Sequence, residues 1–160
     1  MSILIYTDGA AKGNPGRGGY GVVLLSGIHR KELFGGFKLT TNNRMELLAV
    51  IVALESVKKQ NTKITVYSDS KYVVDAVEKK WVFSWEKNNF KKKKNPDLWI
   101  RFLKIFRKTQ TSFVWVKGHN DIKENERCDF LAVQAAESDV LLIDLWYENN
   151  VANSGSTLFD

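Results

Sequence analysis

The stretch ILIYTDGAAKGNPGRGGYGVVLL, residues 3–25, decides how this chain folds. Ile3 to Thr7 is dense in strand formers and stops at Asp8-Gly9. Gly13, Asn14, Pro15, Gly16, Gly18 and Gly19 then mark a loop, because these residue types supply turn geometry that others resist. Tyr20 to Leu25 makes a second strand. A turn near Ser26-Gly27 leads to a third, about Lys31 to Thr40. Two short connections between successive strands imply an antiparallel meander, since a parallel pairing needs a long crossover.

Past the meander the pattern changes to alternating helices and strands. A long helix is expected from about Arg44 to Gln60, with Met45, Leu48, Ala49, Val52 and Val57 available to its buried side. Asn43 reads as its N-cap, with Glu46 three places on as in a capping box. Lys63 to Asp69 reads as a fourth strand, Ile64 and Val66 facing one way and Tyr67 and Asp69 the other. Helical stretches follow at about 71–79 and 81–87. Asn95-Pro96-Asp97 then opens a helix to Arg107 with a stripe of Leu98, Phe102, Ile105 and Phe106. Ser112 to Val116 is a fifth strand, and a last helix covers about Glu124 to Glu137. Leu141 to Trp146 is apolar enough to dock on the body. These elements make an α/β fold: a five-stranded mixed sheet, three antiparallel strands and then parallel additions, flanked by helices. Residues 1–148 form one domain with a protrusion at about 79–95, and residues 149–160, polar and without periodicity, read as a flexible tail.

With 160 residues, the chain has the length of one domain. It has no apolar run of membrane-spanning length, no signal-peptide pattern and a single cysteine, Cys128, which together point to the cytoplasm. The net charge of +6 is unevenly placed. Lys79, Lys80, Lys87 and Lys91 to Lys94 share one short stretch with a single acid, Glu86. The rest of the chain, with 17 basic and 17 acidic residues, is neutral. A patch so concentrated suits a polyanion, although a lysine run kept for solubility has the same composition.

Asp8 and Asp69 each end a strand, two residues after a tyrosine, Tyr6 and Tyr67. Carboxylates there contribute nothing to packing and are costly to bury. Glu46 falls early in its helix, and Asp129 lies on the last helix beside Cys128, Leu131 and Ala132. If the strands pair and the helices cover their ends, the four acids can meet. A cluster of that kind needs divalent cations to neutralise it, and oxygen ligands alone point to magnesium or manganese rather than zinc. Two such ions can activate water on one side of a phosphodiester and stabilise the leaving oxygen on the other. Taken singly, Glu46 reads better as a capping-box residue and Asp8 and Asp69 better as turn or cap residues, while Asp129 reads also as an exposed helical acid.

In order along the chain stand Thr7-Asp8-Gly9, Gly13-Asn14-Pro15-Gly16 and Gly18-Gly19-Tyr20-Gly21. Then come Thr41-Asn42-Asn43-Arg44-Met45-Glu46-Leu47 and Ser68-Asp69-Ser70 with Tyr72-Val73. Trp115-Val116-Lys117-Gly118-His119 and Asn125-Glu126-Arg127-Cys128-Asp129 with Leu131-Ala132 complete the set. This succession resembles type 1 ribonuclease H of the bacterial kind, and it spans residues 7–132. The resemblance implies the ribonuclease H-like fold and endonucleolytic hydrolysis of the RNA strand of RNA–DNA hybrids, leaving 5′-phosphate and 3′-hydroxyl ends. It implies a two-metal mechanism with two Mg2+ ions, Mn2+ being able to substitute. Asp8, Glu46, Asp69 and Asp129 would be the metal-binding catalytic acids, and His119 would serve proton transfer or product departure from a glycine-flanked loop. His29 matches no motif and reads as surface.

The same resemblance implies that Asn14, Asn42 and Asn43 contact the hybrid, where amides suit a 2′-hydroxyl because they both donate and accept. Thr41 would help bind a DNA phosphate. The basic protrusion would grip the hybrid away from the cutting site, with Trp81, Trp85 and Phe90 interleaved among Lys87, Lys91, Lys92, Lys93 and Lys94. Of the aromatics, Trp81 reads as partly core, Trp85 and Phe90 as binding. Lys71 falls at a further position that the resemblance implies contacts the hybrid, where many bacterial members carry glutamine, and Phe90 stands where tryptophan is frequent. The implied partner is the hybrid duplex alone, for a monomer with no obligate protein partner and no membrane.

Overall fold

The computed structural model describes residues 2–59, 61–118 and 121–152. Strands β1 (Ser2–Lys12), β2 (Gly16–Ser26) and β3 (His29–Thr40) form the meander, followed by helix α1 (Asn42–Ser56). Then come β4 (Lys63–Ser68), α2 (Lys71–Glu78), α3 (Trp81–Lys87), α4 (Pro96–Phe106), β5 (Gln110–Trp115) and α5 (Lys123–Glu137). A single turn, α6 (Leu145–Tyr147), continues as a wider π-helical turn over Glu148–Ala152. The sheet order is β3-β2-β1-β4-β5. β1–β2 and β2–β3 are antiparallel, while β1–β4 and β4–β5 are parallel, as the meander and the later alternation imply. Among the described residues no helix is long and apolar enough to cross a membrane.

The sheet separates two apolar layers by strand alternation. Ile5, Val22 and Leu24 pack with α1, α2 and α4, whereas Val23 packs with Cys128 and Leu131 of α5, next to Tyr6 and Leu25. α1 is buried nearly all round, from Arg44 to Ile51 and again at Ala53 and Leu54. Val52 and Val57, expected on its buried side, are only half-buried. A helix covered by a sheet on one side and by α4 on the other has no solvent stripe for periodicity to reveal.

Several boundaries differ from the sequence reading. β1 does not stop at Asp8-Gly9 but runs to Lys12, and β2 starts at Gly16, so the glycine-rich segment is mostly strand. Only residues 13–15 form the turn. α1 begins at Asn42, and its cap is Thr41, whose Oγ1 accepts from the Arg44 N–H at 3.2 Å. Asn43 is therefore inside the helix rather than capping it, and Glu46 lies beyond the first turn, outside capping-box reach. Asn95 precedes α4 in left-handed conformation without a side-chain cap. The helical turns over Leu145–Ala152 extend past residue 148, and the remainder of the expected tail, 153–160, lies outside the described residues.

Candidate active site

Asp8 owes its position to the β1–β4 pairing. Tyr6 and Tyr67 are register partners with stacked rings, their centroids 4.7 Å apart. Two residues further along each chain are Asp8, still within β1, and Asp69, just past the end of β4. Glu46 arrives from the opposite layer. It can do so because Gly9 has no side chain: a Cβ there would stand 2.3 Å from the Glu46 backbone nitrogen. On the other face, a Cβ on Gly21 would be 2.3 Å from the Cys128 carbonyl oxygen. That close approach of α5 to β2 carries Asp129 to the same end of the sheet. By sequence Gly9 reads as the stop of the first strand and Gly21 as an ordinary strand position, whereas the two are what lets two helices touch the strands.

One carboxylate oxygen from each of Asp8, Glu46 and Asp69 lies within 4.8 Å of the others. Asp129 borders the same cavity, of about 460 Å3, together with Asn42, Asn43, Ser70, Lys71 and Tyr72. Asp8 and Glu46 are buried, at 7% and 4% exposure. Burial above all, and then the charges of Asp69 and Asp129, push Asp8 up to about 7 against a hydrogen bond to Glu46 that acts the other way. Glu46 is raised well above the ordinary carboxyl range, by burial first and then by Asp8 and Asp69. Its Oε1 is buried without a hydrogen-bond partner. An unpartnered acceptor beside two more hard oxygen donors fits divalent cations of the magnesium type.

The other residues expected at the site divide unevenly. Asn14 Oδ1 accepts from the Asn42 backbone N–H at 2.9 Å, joining the 13–15 turn to the start of α1. Thr41 and Asn43 border an adjacent cavity with Asn14, Lys93, Lys94 and Trp146. Lys71 is exposed over the Trp115 ring, 4.8 Å from its centroid. His119 lies outside the described residues. Gly118, immediately before it, is against Asp69, since a Cβ there would be 2.9 Å from Oδ2.

In the protrusion the aromatic assignments change. Phe90 is 6% exposed and belongs to the main core, so it is not a hybrid contact; its backbone N–H is bonded to the Trp85 carbonyl at 2.8 Å. Trp85 packs edge-on against the buried Trp99 and bears the Lys93 ammonium, 5.1 Å from its centroid. Trp81, expected to be partly core, is 46% exposed with Lys79 over its ring. The stretch from 79 to 95 carries no period that would separate inward from outward rings. Lys87 and Lys91 to Lys94 are all exposed. Glu86, the one acid of the stretch, forms a bidentate pair with Arg107, which leaves the lysines without an acid of their own segment.

Sequence reading passes over Arg44. It is 1% exposed and bonds Asp97 through both terminal nitrogens and Asp144 through Nε and Nη2. Thr40 Oγ1 donates to the same Asp144. This network ties the start of α1 to α4 and to the C-terminal turn. The signal for it is weak, an arginine heading an almost wholly apolar helix. Trp115 likewise escapes as a site residue: its indole N–H donates to the Asp69 carbonyl at 3.1 Å.

Comparison with known proteins places these features in a family. The ribonuclease H family model matches residues 1–137. A protein of Rippkaea orientalis called Ribonuclease H is 52% identical over 152 residues, 92% of this chain and 93% of its own length. One of Synechocystis sp. called Ribonuclease HI is 47% identical, over 89% of this chain and 92% of its own. Among solved structures, LC11-RNase H1 in complex with RNA/DNA hybrid superposes with a TM-score of 0.63 at 29% identity, covering 85% of this chain and 97% of its own.

Proposed function

The chain belongs to the ribonuclease H family, type 1 and bacterial in kind, and from that premise we propose how its residues divide the work of cutting the RNA strand of an RNA–DNA hybrid. The enzyme is a hydrolase, an endoribonuclease acting on hybrids. The observation that carries the reading of the site is the carboxylate group of Asp8, Glu46 and Asp69 within 4.8 Å, with Glu46 Oε1 unpartnered in the buried layer.

Asp8, Glu46, Asp69 and Asp129 hold two divalent cations, Mg2+ with Mn2+ able to substitute. When bound, the ions supply charge neutralisation, a water acidified for attack and stabilisation of the departing 3′-oxygen. The chain's own part is to hold the acids in place before the substrate arrives. The Tyr6–Tyr67 stack fixes Asp8 beside Asp69, and the Gly9 contact fixes Glu46 against β1. His119, which follows the glycine that touches Asp69, moves a proton or assists product departure. The products carry 5′-phosphate and 3′-hydroxyl ends.

Recognition is divided between two surfaces. Asn14, Asn42 and Asn43 read sugars and base edges, Asn42 and Asn43 from the border of the acid cavity and Asn14 from the adjacent one, with Thr41 binding a DNA phosphate from the N-cap of α1. The exposed lysines of the protrusion, with Trp81, grip the duplex further away. Trp85 serves indirectly by bearing Lys93. The working unit is a monomer in the cytoplasm, a catalytic domain over residues 1–148 with its basic protrusion.

The test uses an end-labelled RNA strand paired with DNA or with RNA, in magnesium and then in excess chelator. Cutting is expected only for the hybrid in magnesium, with 5′-phosphate at the new end. A folded chain that bound the hybrid yet cut nothing in magnesium or manganese would refute the catalytic reading.

A further inference from the structure

Lys71 is the first residue of α2, just after the N-cap Ser70, whose Oγ accepts from the Val73 N–H at 3.3 Å. A cation there stands at the positive end of the helix dipole, where it is disfavoured. It forms none of the salt bridges found among the described residues. It nevertheless borders the cavity of the four acids, two residues from Asp69. Its ammonium lies over the Trp115 ring, and the same indole donates its N–H to the Asp69 carbonyl. Ser68 and Trp115 are register partners, so the β4–β5 ladder sets this bracket rigidly. One tryptophan therefore holds both the backbone of an acid in the cluster and the cation at the cavity rim.

We propose that Lys71, braced by Trp115, binds a backbone phosphate of the strand being cut, next to the scissile position, and that Trp115 is a positioning residue for it. This rests on the hybrid-cutting reading of the same site. The chemistry favours a phosphate over a base edge, because an ammonium is a compact point charge that donates and never accepts. The acids of the cavity explain why the cation needs a brace. Without the ring, Lys71 would swing to the nearest carboxylate and compete with the metal ions. Trp81 with Lys79 and Trp85 with Lys93 repeat the arrangement in the protrusion.

The test is binding of a fluorescent RNA–DNA hybrid to the full chain over a series of salt concentrations, in calcium, beside steady-state cutting in magnesium. Lys71→Gln keeps a hydrogen-bonding group and removes the charge, on an exposed side chain whose loss leaves the fold intact. It is expected to weaken binding roughly threefold to tenfold and to lower the slope of log affinity on log salt by about 0.9, the value for one neutralised phosphate. Lys71→Arg should keep both, and KM should follow the binding while kcat stays near that of the parent. Trp115→Leu should reproduce the loss, Trp115→Phe should restore it, and Trp115→Leu with Lys71→Gln should be no worse than either alone. An unchanged slope in Lys71→Gln overturns the phosphate contact, and additive losses overturn the brace. Because binding is read separately, a parent chain that binds hybrid without cutting it defeats the catalytic reading and leaves the Lys71 result standing.

Discussion

Tyr6 stacks on Tyr67 at an interplanar angle of 13°, each on the strand that two residues later presents an acid. The stack fixes the lateral relation of β1 and β4, so Asp8 and Asp69 face the same cavity before any ion binds. On the proposed reading, removing charge at one of them removes a metal ligand without disturbing the strands. Asp69→Asn is therefore expected to lower kcat by more than roughly a hundredfold, the size reached when even supporting residues of a metal site are replaced. Hybrid binding should remain within a few-fold of the parent. Full activity in Asp69→Asn would remove Asp69 from the metal site.

The acids also make the metal-free protein sensitive to pH. Burial, first among the causes, raises Asp8 to about 7 and raises Glu46 as well. A carboxyl raised in the folded state contributes stability that is fully present below its unfolded value, near 3.8 for Asp8, and that is lost as pH rises through about 7. In chelator, Tm should fall by roughly 5 °C or more between pH 5 and pH 8. Magnesium should recover more of it at pH 8 than at pH 5, because the ion binds deprotonated carboxylates. Asp8→Asn should flatten the chelator profile; a profile as steep as the parent's would count against Asp8 as its source.

The outline of this fold was legible because its strands are apolar and its turns are short. Asp8, Glu46, Asp69 and Asp129 were legible through their motifs, and by spacing alone they stayed ambiguous. What escaped was set by contacts between elements distant in sequence. Gly9 looks like a strand stop and Gly21 like any strand residue until a helix is seen lying on each of them. Arg44 looks like a helix-start charge until Asp97 and Asp144, 53 and 100 residues away, are seen to meet it. Phe90 is drawn inward although its backbone is left-handed, at φ 57°, a conformation that no local propensity would assign to phenylalanine.

Gly9→Ala tests whether the close approach of α1 to β1 serves the site. The added Cβ would meet backbone atoms of Met45 and Glu46 at 2.3–2.9 Å, and backbone cannot yield as a side chain does. The expected cost is about 1–3 kcal/mol of stability, the range for overpacking. As α1 is pushed away, Glu46 should leave the group, and magnesium affinity measured by calorimetry without substrate should fall. A variant of lower stability and unchanged metal affinity would separate packing from ligand placement.

Arg44→Met removes a guanidinium that two buried or half-buried acids share. Desolvation opposes the charge of Arg44 and its bonds to Asp97 and Asp144 support it, the net effect holding it protonated. Its loss leaves Asp144, 8% exposed, without a cation, at an expected cost of about 3–5 kcal/mol in denaturant unfolding. Adding Asp144→Asn should recover part of that cost, since the stranded charge goes with it. No recovery would mean that packing of the arginine against Trp146 and Tyr147 matters more than its charge.

The protrusion separates stability from grip within a few residues. Phe90→Ala empties a core position and is expected to cost about 3–5 kcal/mol, with little change in the salt dependence of hybrid binding at temperatures where it stays folded. Alanine at Lys91 to Lys94 should do the reverse. These side chains are exposed, and Lys93 alone among them rests on a ring, that of Trp85, so Tm should move little. The slope of log affinity on log salt should fall by about 0.9 for each phosphate that is no longer neutralised. Trp81→Ala should weaken binding modestly, because the ring is exposed and Lys79 rests on it. The two sets of variants guard against each other: a fold loosened by Phe90→Ala would also lose affinity, but through a lower folded fraction that does not vary with phosphate screening. If the four-lysine variant kept the parent slope, the run would serve solubility, and the grip would belong to the residues around the acid cavity.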